Sequence, residues 1–161
     1  MGDWPEPVRR VADFLREAGA EARLEEFGAG TPTARDAALA IGCELGQIVK
    51  SLVFDCDGQP AVVLVPGDRR ADAGKVASAL GCGSALIAGR ERVEAVTGFA
   101  VGAVAPFPLP GVDNVLIEQT LLAHDLVWIG AGSPRHMAGL APNELVRLAR
   151  ARLMDAVQEG T

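Results

Sequence analysis

Gln47-Ile48-Val49-Lys50-Ser51-Leu52-Val53-Phe54-Asp55-Cys56-Asp57-Gly58-Gln59-Pro60-Ala61-Val62-Val63-Leu64-Val65-Pro66-Gly67 is the stretch that decides how this chain folds. Two apolar runs, Ser51–Cys56 and Ala61–Val65, flank Asp57-Gly58. An Asp-Gly pair between such runs supplies the positive φ angles of a tight turn, so the stretch reads as a hairpin with a short loop. Neither run alternates apolar with polar residues. Both strands are therefore expected to be buried on both faces.

Working outward, Val8, Val11, Ala12 and Leu15 fall on one helical face, and Gly19 stops that helix. Asp3 and Glu6 make a capping-box-like pair at its start, with Pro5 at an early helical position. Ala22 and Leu24 alternate with charged residues, which predicts a short strand running to Phe27. Thr33 with Asp36 opens a second helix through Ala37, Ala38 and Ile41, ending at Gly42. A helical turn follows, with Leu45, Ile48 and Val49 inward and Lys50 at its end. Beyond the hairpin, Asp72–Leu80 and Arg90–Thr97 read as helices closed by Gly81 and Gly98, with a strand over Ser84–Ala88 between them. Val101–Pro110 is a proline-containing loop, Asn114–Glu118 and Leu126–Ile129 are strands, and Pro142 opens a last amphipathic helix through Leu145, Val146 and Leu148. Hairpin strands with helices between them predict a mixed sheet in a single α+β (mixed α/β) domain spanning residues 1–161.

Composition agrees with one aliphatic-cored domain. The chain has 161 residues, 49% of them apolar, only 4% aromatic, and no Tyr. That balance excludes a disordered chain. Fifteen Lys and Arg face 21 Asp and Glu, a formal charge of −6, which disfavours a protein that coats duplex nucleic acid. The first residues, Met1 to Glu6, carry no basic and apolar leader pattern, and no apolar run reaches bilayer length, so no membrane association and a cytoplasmic location are expected. Cys43, Cys56 and Cys82 are widely spaced, with no C-x-x-C, and His124 and His136 stand apart. Neither a disulfide framework nor a metal site is expected, and all three thiols read as small buried hydrophobes.

Familiar catalytic motifs are missing. Gly28-x-Gly30, Gly81-x-Gly83 and Gly130-x-Gly132 lack the third glycine of a dinucleotide fingerprint. Gly74-Lys75 has Arg69 and Val76 where a P-loop needs Gly and Ser or Thr. Ser51, Ser78, Ser84 and Ser133 lie outside any G-x-S-x-G.

Three stretches retain chemical interest. Lys50 stands between a helical turn and a strand; its amine either hydrogen-bonds a substrate carbonyl or complements the helix end with its head in water. Gly102-Ala103-Val104-Ala105-Pro106 has no polar side chain, so it offers a ligand only backbone N–H and C=O groups; it reads equally as an ordinary connection. Gly130-Ala131-Gly132-Ser133-Pro134-Arg135-His136 follows a strand, with room for a ligand and polar groups at Ser133, Arg135 and His136, or is simply a hairpin connection. Asp68-Arg69-Arg70 is either a solvated charge cluster or a phosphate contact.

In order along the chain, Gln47 to Phe54, Pro66-Gly67-Asp68-Arg69-Arg70, Gly102-x-x-x-Pro106-Phe107 and Ala131-Gly132-Ser133-Pro134 resemble the YbaK/ProX family of prolyl-tRNA editing domains, over about residues 33–150. The resemblance implies a curved, barrel-like mixed β-sheet flanked by helices. It implies a trans-acting deacylase that proofreads translation by hydrolysing the ester of tRNA mischarged with a small amino acid such as Ala or Cys, on tRNA for proline. Lys50 matches the family's essential lysine, which binds and orients the aminoacyl group. Gly102, Ala103, Val104, Ala105 and Pro106 match its G-x-x-x-P loop, and Gly132, Ser133 and His136 match a loop lining the pocket. No cofactor and no metal are implied, since a ribose hydroxyl and a water share the chemistry. Partners would be the tRNA acceptor end and prolyl-tRNA synthetase. Arg69, Arg70 and Arg135 are the cations available to the acceptor end, which predicts weak binding with a shallow salt slope. The alternative is a non-catalytic module that binds an aminoacyl-adenosine or a protein.

Overall fold

The computed structural model describes residues 4–28 and 33–159. Helix α1 (Glu6–Glu17) starts after Pro5, buries Val8, Val11 and Leu15, and gives way at Gly19. Asp3, half of the expected capping pair, lies outside the described residues. Strand β1 (Ala22–Glu26) follows. Helix α2 (Ala34–Ile41) is capped as its sequence requires: the Thr33 hydroxyl accepts the Asp36 N–H at 3.1 Å. A 3-10 turn, Leu45–Gln47, then leads into β2 (Val49–Cys56) and β3 (Gln59–Pro66).

Asp57 and Gly58 both have positive φ, 51° and 89°, the two-residue turn their pairing encodes. In β3, Val62, Val63, Leu64 and Val65 are wholly buried. Removing one such side chain, as in Leu64→Ala, costs about 2–5 kcal/mol. The first half of β2 departs from the expected two-sided burial: Lys50, Ser51 and Leu52 stay partly accessible.

The remaining elements are α3 (Ala73–Leu80), β4 (Ala85–Ile87), α4 (Arg90–Thr97), β5 (Asn114–Glu118), β6 (Val127–Gly130), β7 (His136–Leu140), α5 (Pro142–Ala149) and β8 (Arg152–Met154). One sheet has the order β4-β2-β3-β5-β8. In it β2 runs antiparallel to β3 and β4, and β5 runs parallel to β3 and β8, so the sheet is mixed. The second sheet, β1-β7-β6, is antiparallel. Helices and sheets share one domain core that includes Leu15, Val53, Leu64, Ile117, Ile129 and Leu145.

Three expectations need correction. The strands form two sheets that do not close into a barrel. They meet through a single bridge, Ile48 to Trp128, backed by a 3.0 Å bond from Gln47 Nε2 to the Leu126 carbonyl. Past that bridge the loop at Val104 packs against the end of β6, where the Val104 carbonyl comes so near Gly130 that an added Cβ would lie 2.9 Å from it. Second, Cys56 and Cys82 are joined as a disulfide, with Cα atoms 5.9 Å apart, and Cys43 alone is free. Their 26-residue separation hides the pairing in sequence. It arises because β4 pairs with the end of β2, with Cys56 opposite Ala85, and so brings the end of α3 alongside. Third, β7 and β8 form where no strand is expected. Their patterns, His136-Met-Ala-Gly-Leu140 and Arg152-Leu-Met154, are too short and too rich in small or charged residues to announce a strand; sheet neighbours impose it.

Candidate active site

Lys50 is the second residue of β2, not the end of a helix. β4 pairs only with Phe54 to Cys56 of that strand and Ala88 N–H reaches the Val53 carbonyl, so between Val53 and the bridge at Ile48 no strand covers the edge around Ser51. A cavity of about 340 Å³ lies along this open edge, among the described residues. Its walls are Ala34 and Ala37 of α2, Val49 to Val53 of β2, Ile87 and Ala88, Val93 of α4, Val101, Gly102 and Val104 of the loop, Gly130, and Met137 of β7; Thr33 and Ile48 complete it. The side chains are small and mostly aliphatic. The cavity therefore occupies the seam where the two sheets fail to join.

Lys50 is half-buried here. Its Nζ donates to the Arg69 carbonyl at 2.8 Å. An ammonium has three donors, so two remain without a partner among the described residues. The accepting carbonyl is itself held in place: Arg69 donates from its guanidinium to the Gln158 carbonyl at 2.7 Å, and Gln158 N–H donates to the Arg70 carbonyl at 2.8 Å. Burial pulls the Lys50 pKa below the ordinary lysine value, the nearby Arg70 charge lowers it further, and Asp68 opposes the shift. A cation with spare donors in an apolar recess is suited to polarising a carbonyl or holding a developing oxyanion.

The loop contributes unevenly. Gly102 and Val104 line the cavity, whereas Ala103, Ala105 and Pro106 are buried in packing behind it. Gly102 has φ +86°, and a Cβ there would meet open space. Its backbone is thus bare toward the cavity, which no other residue type could achieve in that conformation without strain.

Gly132, Ser133 and His136 are elsewhere. Met137 faces the cavity, and its neighbour His136 points to the other face of β7, as alternation requires. Gly132 packs beneath α1, so close that a Cβ would lie 2.8 Å from the Pro7 backbone. His136 is buried, its Nδ1 2.6 Å from Ser133 Oγ and its ring edge-on to Trp4. Its Nε2 has no hydrogen-bond partner among the described residues, and the Glu26 carboxylate is 3.9 Å away. Burial holds its pKa below the ordinary histidine value, with Glu26 opposing and Arg135 assisting. None of these three residues lines the Lys50 cavity.

The cations are likewise divided. Arg70 is exposed near Lys50, Arg69 is engaged with Gln158, and Arg135 is exposed at the His136 corner, where its N–H donates to Ser133 Oγ at 3.0 Å. Reading the sequence missed the α2 alanines, Met137 and Ser51 as cavity residues. For Ser51 the only available signal was adjacency to Lys50.

A family model described as the aminoacyl-tRNA editing domain matches residues 29–148. The proline–tRNA ligase of Nitratidesulfovibrio vulgaris (strain DP4) is 38% identical over 100 residues, which is 62% of this chain and 17% of the ligase. The chain thus spans under a fifth of that relative's length. Protein YwhH of Bacillus subtilis (strain 168) is 31% identical over 86% of this chain and 88% of its own. A solved structure described as a candidate trans-editing enzyme for prolyl tRNA synthetase superposes with a TM-score of 0.90 at 36% identity, covering 98% of this chain and 100% of that one. With the family model covering most of its length, the chain belongs to the aminoacyl-tRNA editing domain family.

Proposed function

We propose that this protein is a deacylase that removes a small amino acid, such as alanine or cysteine, from mischarged tRNA, acting in trans on tRNA for proline. The observation that carries the reading is the half-buried Lys50 ammonium, with two uncommitted donors, facing an aliphatic cavity bordered by the bare backbone of Gly102. In the reaction, a water oxygen adds to the acyl carbonyl carbon. The ester bond to the terminal ribose then breaks, one water proton passes to the ribose oxygen, and a free amino acid leaves. Lys50 would orient the acyl group and hold the charge that develops on its carbonyl oxygen. An aminoacyl ester is already activated, so orientation and carbonyl polarisation are sufficient without a protein nucleophile.

Small side chains line the cavity, as a second sieve for a small amino acid requires. Only the single-stranded acceptor end need enter it, with the exposed Arg70 charge close enough to act on Lys50. Recognition of the tRNA body would fall to prolyl-tRNA synthetase as a partner. The test is a panel of tRNAs charged with different amino acids, assayed for amino-acid release by wild type and Lys50→Ala. Release from the small-amino-acid members by wild type alone supports the reading. Equal release by both proteins overturns the role of Lys50, and binding without release by wild type favours a non-catalytic module.

A further inference from the structure

Successive residues of β2 direct their backbone groups to opposite sides. The Ile48 carbonyl accepts from Gly67 N–H at 2.7 Å, on the β3 side, and the Val53 carbonyl accepts from Ala88 N–H at 2.9 Å, on the β4 side. Lys50, Leu52 and Phe54 therefore bond to β3, whereas Val49, Ser51 and Val53 turn their N–H and C=O to the other edge. At Val53 that edge is served by Ala88. At Ser51 no strand among the described residues serves it: β4 ends opposite Phe54, and the bridge to the second sheet lies at Ile48. Ser51 borders the cavity, and its hydroxyl oxygen is buried without a hydrogen-bond partner among the described residues. One residue thus brings to the same recess a backbone donor and acceptor that no neighbouring strand pairs, and a hydroxyl without a partner among the described residues. Buried polar groups are nearly always paired, so this concentration points to a ligand that pairs them.

We propose that Ser51 binds the aminoacyl group as a one-residue strand added to the open edge of β2. The Ser51 carbonyl accepts from the substrate's α-ammonium, and the Ser51 N–H donates to the acyl carbonyl oxygen. A residue in an antiparallel pair exchanges both bonds with its opposite number, which is the geometry an extended aminoacyl group can supply. The inference rests on the deacylase reading above and adds what the site recognises. It selects an acyl group with a free α-amine. It also selects handedness, because directly opposed residues share a face of the sheet. An L side chain would lie on the Ser51 face, beside Val49 and Val53, whereas a D side chain would be driven to the Lys50 face.

The experiment compares wild-type hydrolysis of tRNA esterified with L-alanine, D-alanine or propionate, each rate divided by its spontaneous rate. The L-alanyl ester should show an enhancement at least about 100-fold above the propionyl ester, the scale on which single preorganised donors act, and well above the D-alanyl ester. Equal enhancement for all three overturns the inference and leaves the deacylase reading standing. Ser51→Pro removes the N–H at an edge position where no ladder bond is lost, and should reduce L-alanyl hydrolysis by about 100-fold.

Should Ser51→Pro not fold, the wild-type protein answers the same question. With the non-hydrolysable amide analogue of alanyl-adenosine, the Ser51 amide resonance should shift and its hydrogen exchange should slow. Shifts at Gly102 with none at Ser51 overturn the inference. Binding at Ser51 with no hydrolysis of any ester would overturn the deacylase reading alone, and the absence of both binding and hydrolysis overturns both.

Discussion

At Lys50 a cation faces an apolar space with two of its three donors uncommitted. At His136 an equally polar group is closed in on every side, by Ser133 at 2.6 Å, by the edge of Trp4, and by α1 packed over Gly132. Both regions read as candidate sites, and both lie beside glycines at strand ends. They differ in what the surrounding backbone does. Around Lys50, β4 and β6 stop short and leave an edge uncovered; around His136, β1 pairs along the whole of β7, from Ala22 opposite Leu140 to Glu26 opposite His136. Residue type therefore marks both places as polar, and only the uncovered backbone marks one of them as able to receive a ligand.

Substitutions at the two places should therefore fail in different ways. Lys50→Ala should reduce deacylation by at least about 100-fold, on the scale of a lost oxyanion donor. Its thermal midpoint should hold or rise, since burial already disfavours the charge it removes. A fall in stability matching the fall in rate would break the contrast. Gly102→Val should come next. The positive φ costs about 1–2 kcal/mol in a residue with a Cβ, and the strain falls on a residue that lines the cavity, so a rate loss of about tenfold or more is expected in single-turnover assays.

The alkaline limb of the pH profile sharpens the same point. Activity that needs the Lys50 ammonium is complete below its pKa and lost above it. Because that pKa is depressed, loss should begin below the ordinary lysine range near pH ~10.4. A limb at or above that range would remove the idea that burial tunes the amine.

At the other place the readout should be stability. Gly132→Ala forces a Cβ against the Pro7 backbone, so a loss of about 1–3 kcal/mol is expected, with kcat for the remaining folded protein nearly unchanged. His136 supplies a pH test of the same kind. Its folded pKa lies below the unfolded value near ~6.5, so its contribution to stability is complete above that pH. The contribution is lost as pH falls toward the folded value. His136→Asn should flatten that part of the stability curve as followed by thermal denaturation.

The smallest effect belongs to Arg70→Ala. It should raise KM by a few-fold, lessen the salt slope by about 0.7, and move the alkaline limb upward by relieving the Lys50 amine of a neighbouring charge.

Much of this was legible along the chain. The Asp57-Gly58 hairpin, the Thr33 cap, the buried run Val62 to Val65 and the helix at Pro142 each follow from bonds or packing within a few residues. Lys50 and the Gly102 loop could be singled out for the same reason, as local oddities of a lysine in an apolar strand and a glycine in a bare loop. Three things were not local. The Cys56–Cys82 bond depends on β4 pairing with β2. The removal of Ser133 and His136 from the cavity depends on which face of β7 turns toward α1. The openness of Ser51 depends on where two other strands stop.

The sequence by itself determined the elements and the lysine, because hydrophobic period, turn geometry and capping are short-range physics. Only the tertiary structure decided that the two sheets part after one bridge at Ile48 and Trp128, and so where the cavity lies. A strand's own residues encode that it is a strand; whether its edge is paired or bare depends on the length and register of its neighbours, which no stretch of its own sequence contains.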